Sequence, residues 1–108
     1  MNLETDFIAI LKYKTHLEGG RKGYALSGYR PDIKFPFAEM KTCGIQTFID
    51  QEKVFPGESV TAKIKIIATE YFKGQLYKNL KFDFREGPNI IGTGIIVEII
   101  NPELKNGD

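Results

Sequence analysis

Residues 60–66 read Val-Thr-Ala-Lys-Ile-Lys-Ile, and apolar residues alternate with polar ones through the whole stretch. A period of two is typical of a β-strand that buries one face, because successive side chains of a strand point to opposite sides of the sheet. Residues 80–86 repeat the pattern, with Leu80, Phe82 and Phe84 on one side. The sequence therefore predicts a protein built from half-buried strands.

Five more segments carry strand signals of different strength. They are residues 7–13, 24–29, 33–37, 44–49 and 90–100. The last of these is nearly all apolar and β-branched, which predicts a central strand that is covered on both sides. Phe35-Pro36-Phe37 places a proline within a strand pattern, so the strand at 33–37 is expected at an edge or at a bulge.

Two of these strands permit an assignment of the buried face. In residues 7–13 we expect Ile8 and Ile10 to be buried, with Leu11 as a further candidate. In residues 44–49 the alternating set has three members, which are Ile45, Thr47 and Ile49. Both assignments follow from period-two alternation alone.

Glycine and proline turns separate six or seven short strands, which favours an all-β fold, either a closed barrel or a sandwich. We expect one domain over residues 1–108, with a core from about 6 to 101 and a polar, flexible tail over 102–108. Residues 69–79 are compatible with a long loop or with one helical turn. The glycine and proline turns therefore predict the class of fold better than they predict how the strands connect.

Composition excludes several classes of function. The 108 residues carry a formal charge of +1, far from the basic balance of a dedicated nucleic-acid binder. Cys43 is the only cysteine, which fits a cytoplasmic protein without disulfides. The first residues lack a signal-peptide pattern, and no apolar stretch reaches the roughly 20 residues that a membrane span needs.

The sequence offers little reactive chemistry. His16, the only histidine, follows no metal-ligand spacing, and nothing near Cys43 would activate its thiol. The phosphate-loop pattern is absent, and the Gly92-x-Gly94 pair lies in a predicted strand with no helix after it. We therefore expect no enzymatic activity, no metal, no cofactor and no bound nucleotide. Basic and aromatic residues do collect at turns, namely Arg21, Lys22, Tyr24, Tyr29, Arg30 and Arg85.

Three segments in order resemble the C-terminal barrel, the third domain, of translation elongation factor Tu. They are Glu18-Gly19-Gly20-Arg21 with Ser27-Gly28-Tyr29-Arg30-Pro31, then Phe55-Pro56-Gly57-Glu58, and finally residues 80–87 with Ile91-Gly92-Thr93-Gly94. The resemblance extends from about Asp6 to Ile100. It implies a six-stranded antiparallel closed barrel, here expected as a stand-alone protein, since the 108 residues contain no counterpart of the GTPase domain or of the second barrel.

The resemblance also implies a tRNA-stem surface. The positions that match the family's stem contacts are Arg21, Glu86 and Gly87, and Lys22 replaces the family's usual histidine. An arginine, a carboxylate acceptor and a closely approaching glycine suit the phosphates and 2′-hydroxyls of an A-form stem. The first functional hypothesis is thus a non-catalytic module that binds tRNA or a translation factor, such as a GTPase or its exchange factor.

The departures from the family pattern support a second hypothesis. Asp32 and Asp83 occupy positions that face the GTPase domain in the family, and residues 69–79 contain an insertion with Tyr71 and Phe72. These residues are candidates for a protein interface. The alternative function is therefore a protein-interaction or self-associating barrel with no role in RNA binding.

Overall fold

The computed structural model describes residues 4–107 of the chain, and within them eight β-strands alternate with loops and two single 3₁₀ turns. The strands are β1 (Phe7–Tyr13), β2 (Ala25–Leu26), β3 (Asp32–Lys34), β4 (Thr42–Phe48), β5 (Lys53–Val54), β6 (Ser59–Ile66), β7 (Lys81–Glu86) and β8 (Asn89–Ile99). The 3₁₀ turns cover Thr69–Tyr71 and Pro102–Leu104. The first of these turns, followed by irregular chain, resolves the alternative that the sequence left open for residues 69–79.

Six strands close into a barrel in the order β1-β6-β4-β3-β7-β8, and every neighbouring pair is antiparallel. β1 completes the closure because it pairs with β6 on one side and with β8 on the other. The remaining strands, β2 and β5, form a separate two-stranded sheet. The predicted all-β, six-stranded antiparallel barrel is confirmed, and its closure leaves no open barrel edge to pair with another chain.

The two alternating stretches bury the predicted faces. From β6, Val60, Ala62, Ile64 and Ile66 point into the core, and residues 80–84 contribute a second buried set of Leu80, Phe82 and Phe84. The rings of Phe82 and Phe84 lie against the neighbouring strand β8, which has glycine at the two positions that they cover. A Cβ at Gly94 would lie 2.3 Å from Cζ of Phe82, and one at Gly92 would lie 2.2 Å from Cζ of Phe84. The Gly92-x-Gly94 pattern is therefore a packing feature.

Each of the two face assignments that rested on isoleucine spacing is wrong for two of its three residues, whereas Leu11 and Ile45 are buried as expected. β1 buries Phe7, Ala9, Leu11 and Tyr13, while Ile10 is 43% exposed and Ile8 is only half-buried. The inward positions of β4 are Thr42, Gly44, Gln46 and Phe48, so Thr47 is exposed and Ile49 half-buried. Position 44 is glycine because a Cβ there would lie 2.2 Å from Cδ1 of Ile33, which is also in the core. Apolar residues on both faces of a strand make its alternation ambiguous.

Three other strand predictions need correction. The strand expected at 24–29 is reduced to Ala25–Leu26, and the one at 33–37 ends at Lys34, before the proline. β3 lies between β4 and β7, so it is not an edge strand. β8 is the predicted long strand, but its outer face is not covered, since Thr93 is exposed.

The barrel has two unlike ends. The Arg21 end consists of residues 14–31, 49–58 and 87–88, and the β2–β5 sheet lies there with Ala25 and Val54 packed on the core. The Leu104 end consists of residues 35–41, 67–80 and 100–107. The predicted site residues of the first hypothesis are all at the Arg21 end.

The Leu104 end is filled by Leu104, which the sequence analysis assigned to a flexible tail, and by Phe72, which it assigned to a protein interface. Leu104 is fully buried, and the backbone of Leu76 donates to its carbonyl oxygen at 2.8 Å while Asn106 donates to that of Leu76 at 2.7 Å. This packing differs from the free tail expected from residue 102 onward. Phe72 is also buried, with its ring 5.2 Å from that of Phe35.

Candidate nucleic-acid interface

Two of the predicted site residues meet although 65 positions separate them in the chain. Arg21 lies in the loop that follows β1, and Glu86 is the last residue of β7. The Nη1 group of Arg21 donates to Oε2 of Glu86 in an ion pair that stays partly open to solvent, with side-chain exposures of 27% and 43%. The pair exists because β1 and β7 both reach the Arg21 end as neighbours of β8.

Tyr29 completes this cluster from the side of the barrel wall. Its hydroxyl donates to the same Oε2 of Glu86, and the Arg21 guanidinium carbon lies 4.8 Å from the centre of its ring. Burial and the hydrogen bond to Glu86 raise the pKa of the Tyr29 phenol, so it remains a neutral donor. Burial lowers the pKa of the Arg21 guanidinium, but the contacts with Tyr29 and Glu86 outweigh this effect and raise it overall.

The guanidinium of Arg21 is also fixed by its own loop. Nε donates to the carbonyl oxygen of Gly23 at 3.4 Å, and Nη2 donates to that of Tyr24 at 3.2 Å. Three of the five N–H groups of an arginine are therefore engaged within the protein, and two stay free for a ligand. A planar donor group held in one orientation is suited to phosphate, because little side-chain freedom is lost on binding.

The loop before Arg21 is a tight, hydrogen-bonded turn. The Glu18 carboxylate accepts from the backbone N–H of Thr15 at 2.9 Å and from its hydroxyl at 3.0 Å, and these bonds lower the pKa of Glu18. Gly20 lets the chain fold back on itself, since a Cβ there would lie 2.3 Å from the carbonyl oxygen of Lys14. The Glu-Gly-Gly-Arg sequence thus presents Arg21 on an ordered support.

Gly87 and Lys22 flank the ion pair. Gly87 has φ of +57° in the two-residue turn that joins β7 to β8, and open space surrounds its α-carbon. Pro88 fixes its own φ near −65°, so the positive φ falls on the first central residue alone, as in a type II′ hairpin turn. Lys22 is exposed beside Arg21. All four predicted RNA-contact residues therefore lie at the same end of the barrel.

An exposed aromatic pair lies next to this cluster, on the outer face of the β2–β5 sheet. The rings of Tyr24 and Phe55 are 5.6 Å apart, each residue is 45% exposed, and Nζ of Lys53 lies 4.9 Å from the Tyr24 ring centre. Tyr24 was among the basic and aromatic turn residues of the sequence, but Lys53 and Phe55 were missed. Only the pairing of β2 with β5, Ala25 with Val54 and Leu26 with Lys53, brings Lys53 and Phe55 beside Tyr24.

The residues predicted for a protein interface do not form one patch. Asp32 and Asp83 lie on the outer faces of neighbouring strands, and Asp83 makes a bidentate ion pair with Arg85 at 2.7 and 3.1 Å. This pairing supplies the partner that a buried carboxylate would need. Tyr71 is 61% exposed at the other end of the barrel, whereas Phe72 is 1% exposed and belongs to the core. Phe72 is therefore not available as a surface contact.

Among residues 4–107, no group of three or more His, Cys, Asp or Glu side chains is arranged as a metal site, and no helix is long and apolar enough to cross a membrane. Cys43 is partly buried, and burial together with the Asp32 carboxylate raises the pKa of its thiol, which disfavours the nucleophilic thiolate.

Comparison with known families places these features in context. The family model described as "Elongation factor Tu C-terminal domain" matches residues 1–100. The match spans the whole barrel, including Arg21, Lys22, Glu86 and Gly87, and it ends before the Pro102–Leu104 turn that fills the opposite end.

Proposed function

Because the chain belongs to the elongation factor Tu C-terminal domain family, we propose that it acts in translation as a non-catalytic, cytoplasmic module that contacts the stem of a tRNA at its Arg21 end. A translation GTPase or its exchange factor is the alternative partner for the same end. The observation that carries the proposal is the preformed Arg21–Glu86–Tyr29 cluster beside the Gly87 turn. The family supports a link to the translation machinery in general, and the RNA contact is our inference from the cluster.

The chemistry of the cluster suits the backbone of an A-form stem. The two free N–H groups of Arg21 donate to phosphate oxygens, and Lys22 adds a second cation beside them. The Glu86 carboxylate has lone pairs left to accept from a 2′-hydroxyl, which distinguishes RNA from DNA. Gly87, with no side chain, lets the ribose approach the backbone of the turn. None of these contacts reads a base, so the binding is expected to follow stem shape rather than sequence.

Titration of fluorescently labelled tRNA with the purified protein at two salt concentrations tests this function. We expect saturable binding that weakens at the higher salt, because phosphate contacts release counterions. Arg21→Ala is expected to weaken binding by about tenfold or more, the equivalent of one lost charge-assisted hydrogen bond. The slope of log K against log salt should fall by about 1.

Lys78→Ala is the matched control, since this exposed lysine lies at the Leu104 end. It removes the same charge and should leave both affinity and salt slope nearly unchanged. Equal losses for Arg21→Ala and Lys78→Ala would mean that only the overall charge matters, and the assignment of the site would be wrong. Absence of binding even at low salt would direct the search to a translation GTPase or exchange factor as the partner.

A further inference from the structure

A second surface feature lies on the outer wall of the barrel. It is a hollow of about 580 Å³ across β1, β8, β7 and β3, which we call the basic hollow. Its lining includes four cations and one carboxylate, which are Lys12, Lys34, Lys81, Arg85 and Asp83. No residue of the Arg21–Glu86–Tyr29 cluster belongs to the lining, so the hollow is a distinct surface.

The charge in the hollow is positive and largely available. Asp83 is held by Arg85 through two hydrogen bonds, so these two charges offset each other. The three lysines form no ion pair with any other residue in the range 4–107. Lys12 and Lys34 each donate to a backbone carbonyl oxygen, of Gly57 and Phe35 respectively, which leaves two further N–H groups on each ammonium.

One side of the floor of the hollow is apolar. Ile10 on β1 is paired with Ile95 on β8, and Ile95 is paired in turn with Lys81 on β7. Ile10 is 43% exposed, although it is a large aliphatic residue in the middle of a strand. Each exposed aromatic ring lies outside this lining, so a nucleic-acid base would find no stacking partner. An aliphatic side chain, in contrast, would cover the floor.

The strand register gives the spacing of the charges. Lys12, Thr93, Asp83 and Lys34 form one row across four neighbouring strands. Three strand spacings separate the two lysines at the ends of this row, which is roughly 14 Å along the wall. An extended peptide covers the same distance in four residues, and residues i, i+2 and i+4 share one face.

From this spacing we propose that the basic hollow binds an extended acidic segment of a partner protein. Carboxylates at positions i and i+4 pair with Lys12 and Lys34. An aliphatic side chain at i+2 then lies above Thr93 and reaches toward Ile95, the next residue on the same face of β8. The positive charges favour an anionic ligand. The apolar floor favours a peptide over RNA, because an RNA backbone carries no aliphatic side chain that could cover the floor. This surface is separate from the tRNA contact, so either proposal can fail alone.

The test is an NMR titration of the ¹⁵N-labelled protein with a terminally blocked peptide that contains Glu-Ser-Leu-Ser-Glu. We expect saturable shifts at the amides of Thr93, Gly94 and Ile95, at the centre of the hollow. Lys81→Glu, at an exposed position without an ion-pair partner, should raise the dissociation constant about five- to tenfold. Lys34→Gln, which removes a charge without creating repulsion with Asp83, should raise it by a smaller factor.

Four comparisons decide the outcome. Lys63→Glu makes the same charge reversal at an exposed position on β6 that is outside the hollow, and it should have little effect. A peptide with serine in place of leucine should bind more weakly, as should one with glutamine in place of both glutamates. Equal effects of Lys63→Glu and Lys81→Glu, equal binding of the serine peptide, or tighter binding of penta-uridine at the same amides would each overturn the proposal.

Discussion

Among the charged residues near the β1–β6 and β1–β8 pairings that close the barrel, Asp6 should be the one whose replacement by alanine destabilises the fold most. Asp6 immediately precedes β1 and is 1% exposed. Its Oδ2 accepts from the backbone N–H of Ile66 at 2.8 Å, and its Oδ1 accepts from the side-chain amide of Asn101 at 2.9 Å. Nζ of Lys65 lies 3.4 Å from Oδ2. One carboxylate therefore ties together the start of β1, the end of β6 and the segment after β8.

The cost can be estimated contact by contact. The N–H of Ile66, a residue that is fully buried, would lose its partner, and an unsatisfied buried donor costs about 1–3 kcal/mol. The bond to Asn101 adds about 1 kcal/mol, and the partly exposed Lys65 adds at most about 1 kcal/mol. The free energy of unfolding should thus fall by about 2–5 kcal/mol, a large share of the total for a domain of this size.

Urea denaturation followed by circular dichroism measures this loss, since the chain has no tryptophan to report by fluorescence. With a slope near 2 kcal/mol/M, the midpoint should move by roughly 1–2.5 M at an unchanged slope. Asp6→Asn keeps one acceptor oxygen, so its cost should be intermediate. Glu4→Ala removes an exposed carboxylate two residues earlier and should change the stability by less than about 0.5 kcal/mol.

A loss below about 1 kcal/mol for Asp6→Ala would refute the reasoning, because it would mean that water or rearranged backbone replaces the carboxylate at no cost. The double variant Asp6→Ala/Asn101→Ala adds a sharper criterion. If the two residues act through their shared hydrogen bond, the double variant should lose less than the sum of the single losses. Strict additivity would show that they stabilise the barrel independently.

Three further predictions concern the core and can use the same denaturation assay. Phe72→Ala should cost about 3–5 kcal/mol and Tyr71→Ser less than about 0.5 kcal/mol, and similar losses would contradict their placement inside and outside the core. Gly94→Ala should cost about 1–3 kcal/mol because the new methyl group meets the Phe82 ring, so a neutral effect would argue against that contact. Burial raises the pKa of the Tyr13 phenol in the folded protein, whereas in the unfolded chain this phenol ionises near pH 10. The contribution of Tyr13 to stability is therefore full below about pH 10 and is lost as the pH rises above it. Tyr13→Phe should flatten this alkaline decline in stability, and an unchanged decline would exclude Tyr13 as its source.

Local alternation predicted strand faces only where the two faces differ in polarity. In β6 the lysines mark the solvent side, and the predicted face is the buried one. In β1 isoleucines also occupy the outer face, and the small Ala9 is inward while the larger Ile10 is outward. The choice depends on the partner strands, since Ala9 pairs with Ala62 on one side and Ile96 on the other. Such long-range pairing is not encoded in the spacing of a single strand.

The candidate site shows the same limit. Residue types and turns pointed to Arg21 and Tyr29, but the ion pair with Glu86 depends on how the barrel closes, and only the family resemblance anticipated a shared surface. The basic hollow was not predicted at all. Its lysines come from three different strands, and only the register places them around one hollow.

Residues 69–79, in which the sequence predicted an insertion, illustrate why the apolar residues of such a segment need not form a new surface. Phe72 and Leu76 are buried, and Leu76 forms a parallel bridge with Lys105 beside the buried Leu104. The insertion and the chain after β8 thus cover each other and fill one end of the barrel. A six-stranded barrel has two open ends, and each must be closed by side chains before any surface is available for binding. Since the Leu104 end is closed in this way, recognition is expected at the Arg21 end, where the Arg21–Glu86–Tyr29 cluster is preformed, and at the basic hollow of the outer wall.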